Sequence, residues 1–193
     1  MNTFLNAINT ALTIFILQTQ ANMQYLLVMV VALYAVFVIT RVFPFLLALG
    51  IWPREPYGLP GIFLAPFLHV NFNHLFFNTV PLVILSNFLL INGLHYFLMV
   101  TLSIALISGL CIWCFAKQGI HLGSSAVVTG YWGLLVTNIY LQGTLMAVML
   151  GIVCFYYFAG IFFGVFPGKK GVSWEGHLFG LLAGIGTSYL VVM

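Results

Sequence analysis

The chain has 193 residues, 63% hydrophobic and only 4% charged, with a formal net charge of +3 at pH 7. A water-soluble domain has about a quarter of its residues charged, so five cations and two acids cannot build an aqueous surface, and lipid must be the main solvent. The cations form no basic cluster for nucleic acid, and the apolar runs are continuous and not alternating in twos, which indicates helices and not a barrel.

In chain order, residues 1–24 mix polar and apolar side chains and are assigned to the membrane interface. Their opening "MNTFLNAINT" has neither a cationic start nor a small-residue cleavage site, so no cleavable signal peptide is expected. The six-helix membrane domain is expected over 25–193, with a first span at 25–40 that stops near Arg41 and Pro44. Segment 52–73 follows, carrying Pro53, Pro56, Pro60 and Pro66. Proline breaks helices, yet the segment is too apolar for a free loop. It is expected as a folded, half-embedded element with Trp52 and Tyr57 at headgroup depth.

Five further spans are expected at 74–91, 95–116, 125–141, 143–166 and 175–192, each near the length a bilayer core needs. Lys117, Lys169 and Lys170 fall in the longer connections, and Lys169 and Lys170 are most simply a solvated loop. Cys111, Cys114 and Cys154 lie inside apolar runs. "CIWC" has redox spacing but no second pair, so all three are read as small apolar residues. Tyr131, Trp132 and the Phe-rich run 155–166 are read as packing or lipid contact.

Parity then matters. The second, fourth and sixth spans start on one side of the membrane, and polar residues gather at those three starts while the opposite ends look bland. Polar groups at membrane depth are costly and tend to mark function. His74 and Asn78 are one turn apart on one helix face. Ser125 opens a helix behind Gly123, where unpaired N–H groups would favour an oxyanion. His177, near the start of the last helix, has the imidazole that can take a serine proton and return it. The chain contains no aspartate. Of its two carboxylates, Glu55 and Glu175, the second lies two residues before His177 and faces elsewhere, so a Ser–His dyad oriented by packing is expected. Taken singly, a membrane-helix serine usually bonds its own backbone; Ser124 keeps that reading, and His95 and His121 stay unassigned.

These motifs carry a resemblance. Over about residues 51–190 the chain resembles the rhomboid family of intramembrane serine proteases. "GSSA" (123–126) is similar to its Gly-x-Ser-Gly signature, "HVNFNHLFFN" (69–78) to its second-helix motif, "GHLFGLLAG" (176–184) to its last-helix motif, and "GLPGIFLAPFLH" to the end of its first loop. Ala126 stands where the family has glycine, and Thr129 where many members carry an aromatic ring on the catalytic histidine. The resemblance implies an all-α six-helix bundle in a bacterial inner membrane, cutting transmembrane protein substrates without metal or cofactor. Ser125 would be nucleophile and His177 base, with His74, Asn78 and the Ser125 amide as oxyanion donors. His69 would brace the first loop, and Gly180 and Gly184 would let the last helix approach the Ser125 helix.

A neutral His177 base implies activity climbing as pH rises through about 6 to 7. Two other readings stand beside this one: a histidine-ligated metal hydrolase using His69, His74, His121 and His177, though without an HExxH motif, and a rhomboid-like pseudoprotease. The lack of aspartate excludes aspartyl chemistry. Family topology, with a cytoplasmic N-terminus, puts Arg41, Arg54, Lys117, Lys169 and Lys170 outside, against the positive-inside rule.

Overall fold

The computed structural model describes residues 2–166 and 173–192, which are helical with one isolated backbone bridge. Six long helices form the bundle: α1 (Asn2–Val42), α3 (Phe72–Leu90), α4 (Leu94–Phe115), α5 (Ser125–Gln142), α6 (Leu145–Phe163) and α7 (Trp174–Val192). A single turn, α2 (Gly61–Leu64), lies in the loop after α1. Four of them (α1, α3, α4 and α6) are long and apolar enough to cross a membrane by themselves. The protein is an all-α polytopic membrane bundle.

No proline or glycine interrupts Asn2–Val42, so α1 runs unbroken through the stretch that the sequence assigns to the interface. At a rise of 1.5 Å per residue it is roughly 60 Å long, about twice the hydrocarbon thickness. A buried polar seam registers it on α3. Asn22 donates to Asn87 Oδ1 at 3.4 Å, and Asn87 Nδ2 donates to Thr19 Oγ1 at 2.9 Å. An amide in hydrocarbon must find a partner, so this seam resists sliding.

The core is built around α5, whose Tyr131 is 1% exposed and shares a 2.7 Å hydrogen bond with Thr101. Trp132 is also buried and donates to the Cys154 carbonyl, so both aromatics serve packing. Against α5 lies α7, at backbone contact. A Cβ on Gly180 would fall 2.1 Å from the Ala126 carbonyl oxygen, and one on Gly184 1.9 Å from that of Gly130. Any side chain there would force the helices apart.

Between α1 and α3 the prolines act as the sequence suggests. The chain makes short 3-10 turns at Pro44–Leu49, Pro56–Gly58 and Ala65–Phe67 and folds back on α4. Ile51 and His121 exchange backbone hydrogen bonds at 3.1 and 2.9 Å, and Gly123 N–H donates to the Ala65 carbonyl at 2.9 Å. Arg54 donates to the Ala116 carbonyl at 2.8 Å and to that of Cys114 at 3.3 Å; Trp113 Nε1 donates to the Glu55 carbonyl at 2.8 Å. The loop is thereby tied to the segment just before Ser125. Lys169 and Lys170 lie outside the described residues.

Candidate active site

Asn71 caps α3: its side chain accepts from His74 N–H at 2.8 Å, which fixes His74 in the first turn. Asn78 follows one turn later, buried, with its Nδ2 free of any hydrogen bond among the described residues. Ser125 is the first residue of α5, and Gly123 before it has φ +102°, a conformation that favours glycine. A Cβ on Gly123 would lie 2.7 Å from His74 Nε2 and 3.3 Å from Asn78 Nδ2. The backbone leading to Ser125 thus rests directly on those two polar side chains.

His177 sits in the first turn of α7. Its Nδ1 is 2.9 Å from the Gly164 carbonyl oxygen. A carbonyl only accepts, so Nδ1 carries the proton and the neutral ring keeps its lone pair on Nε2. Gly164 permits this approach because a Cβ there would lie 2.4 Å from Nδ1. The orienting group is therefore a backbone carbonyl, where the sequence suggested packing alone. Nothing in the sequence marks Gly164 for this, because a backbone acceptor belongs to every residue.

Ser125, His177, His74 and Asn78 line one cavity of about 540 Å³, together with Asn73, His121 and Ser173. Ser125 and His177 share it without a direct hydrogen bond among the described residues; catalytic bonds are often open before substrate binds. Ser124, read as back-bonded, is instead buried with a hydroxyl that has no partner among the described residues. The back-bonds in this helix come from threonines: Thr129 to the Ser125 carbonyl at 2.8 Å and Thr137 to that of Gly133 at 2.7 Å.

His69 is fully buried outside the cavity lining, edge-on to His74 with ring centroids 5.0 Å apart. Arg41 holds this turn by donating to the carbonyls of His69 and Val70. Burial, and then the neighbouring His74, push the His69 imidazole down to about 4; the Phe67 carbonyl opposes this in part.

Glu175 is buried and does not line the cavity, and His95 starts α4 at the opposite end of the bundle. That opposite end is less bland than the sequence suggests: buried Asn138 donates to the Tyr96 hydroxyl at 3.3 Å. Among the described residues no three His, Cys, Asp or Glu side chains cluster to hold a metal ion. The cysteines are unpaired thiols.

Fold and cavity together define an integral membrane bundle with a polar pocket at one end. The chain belongs to the rhomboid family: the Rhomboid domain model matches residues 56–193. It is 35% identical over 152 residues to uncharacterized proteins of Mycobacterium tuberculosis and Mycobacterium bovis, covering 74% of this chain and 63% of each relative. An uncharacterized Mycobacterium leprae protein is 33% identical over 141 residues, covering 68% of this chain and 55% of its own length. The chain thus spans between about half and two thirds of the length of these relatives.

Proposed function

We propose that the protein is an intramembrane serine endopeptidase of a bacterial inner membrane, cutting transmembrane protein substrates. Ser125 Oγ attacks a substrate carbonyl while His177 Nε2 takes its proton. His74, Asn78 and the Ser125 N–H receive the oxyanion. The imidazolium then protonates the leaving amine, giving an acyl-enzyme that a water hydrolyses with His177 again as base. A helix hides its carbonyls, so substrates unwind locally, which favours segments with glycine, proline or polar residues.

The observation that carries this reading is the single cavity lined by Ser125, His177, His74 and Asn78 in a rhomboid-family bundle. The Nδ1 bond to Gly164 supports it by leaving the correct nitrogen basic without a carboxylate. A fluorophosphonate probe should label the purified protein and leave Ser125→Ala unlabelled; a silent wild type would sink the proposal. His74→Ala and Asn78→Ala should each lower kcat by about 100-fold or more. The open Ser125–His177 geometry also suits a non-cutting binder of unwound segments, which predicts no labelling at all.

For orientation, a cytoplasmic N-terminus puts the cavity on the outer side. Arg41 is then a structural donor to the loop carbonyls of His69 and Val70, and Arg54 one to the carbonyls at the end of α4, and neither is a free topogenic charge. Labelling of a cysteine placed in the 167–172 connection of intact cells tests this.

A further inference from the structure

Two serine–histidine pairs share the cavity, and the pair joined by a hydrogen bond is not the one proposed for catalysis. His121 Nδ1 lies 2.9 Å from Ser173 Oγ, and both residues line the cavity. His121 Nε2 lies 3.0 Å from the Lys117 carbonyl oxygen. That carbonyl only accepts, so Nε2 carries the ring proton. In the neutral ring Nδ1 is then an acceptor, and the Ser173 hydroxyl donates to it. The same Ser173 oxygen accepts the Gly176 N–H at 3.3 Å, which caps α7. His121 is itself anchored through both backbone hydrogen bonds to Ile51.

The spacing gives this bond its meaning. Ser125 lies four residues after His121, and His177 four residues after Ser173. One hydrogen bond therefore ties together the two segments that deliver the proposed nucleophile and base. His177 belongs to the first turn of α7, and a first turn without its cap has unpaired N–H groups and frays.

We propose that His121 and Ser173 are positioning residues, a latch that holds the first turn of α7, and with it His177, in register with Ser125. This rests on the protease reading above. Ser173 is not a second nucleophile, because its oxygen is engaged both as donor and as cap.

The test uses the full chain in proteoliposomes with a transmembrane substrate. His121→Phe removes the latch and leaves the cap. Ser173→Gly removes the hydroxyl while glycine remains a fair cap. Each should lower kcat on the order of tenfold to a hundredfold with KM unchanged, since small misplacements of a catalytic group are costly. The double variant should be no worse than the singles. Ser173→Thr and His121→Asn, which keep a donor and an acceptor, should stay within about threefold of wild type. Wild-type kcat in His121→Phe, or singles whose effects multiply in the double variant, overturns the latch. So does a fluorophosphonate adduct on Ser173. Should the wild type neither cut nor label, the protease reading fails separately. The latch is then decided by amide hydrogen exchange at Gly176 and His177: faster in His121→Phe supports it, unchanged overturns it.

Discussion

The α5–α7 pair and α6 use opposite logics in one membrane. Helix α6 is apolar enough to count as a span by itself, yet it turns Phe155, Tyr156, Tyr157 and Phe163 outward and buries chiefly Ala147, Leu150, Gly151 and Cys154. Helices α5 and α7 are absent from the four spans recognised by length and apolarity among the described residues, yet α5 is the most enclosed helix and α7 touches its backbone. In lipid there is no hydrophobic gain from hiding leucine behind leucine, so close contact falls to small residues and hydrogen bonds. The helices that look least like membrane spans form the centre and carry Ser125 and His177. Hydropathy therefore ranks the exposed periphery above the enclosed α5–α7 pair.

Substitutions should divide along the same line. Gly184→Val attacks the backbone contact with Gly130, where even a Cβ would sit at 1.9 Å. It should unfold the bundle or remove activity entirely, read by size-exclusion profile and probe labelling; a folded, active variant would break the comparison. Gly123→Ala adds a methyl 2.7 Å from His74 Nε2 at a φ that disfavours alanine. Activity should drop on the order of 100-fold, with a loss of only about 1–2 kcal/mol in stability.

The His69 imidazole, held near 4 against an ordinary 6.5, stays neutral in the folded protein while the unfolded chain takes up a proton. Stability is then full above about 6.5 and declines as pH falls toward 4, by on the order of 3 kcal/mol. Thermal midpoints between pH 7 and 4 should show that slope, and His69→Gln should flatten it. Tyr157→Ala on α6 is the mildest. This side chain is 73% exposed, and its loss should change stability by about 0.5 kcal/mol or less and leave kcat unaltered. A large effect there would mean that α6 is part of the working core.

Much of this was legible from residue types alone. A chain with seven ionisable charges is forced into lipid, proline density rules out a spanning helix over 52–73, and polar residues at three helix starts mark one end of the bundle. Where the sequence misled, the missing information was spatial. Ser124 carries the same side chain as Ser125, and only its position shows that its hydroxyl is buried without a partner while its neighbour faces the cavity. Asn22 and Thr19 look interfacial as letters, and become a buried seam only because Asn87 lies opposite.

By itself the sequence determined the solvent, the helical class and the gathering of polar residues at three helix starts, because each depends on composition or on neighbours within a turn. Tertiary structure alone decided which nitrogen of His177 is basic, how closely α7 approaches α5, and that His121 meets Ser173. Those depend on the Gly164 carbonyl, on missing Cβ atoms and on residues 52 positions apart, and no local pattern encodes a distance between segments.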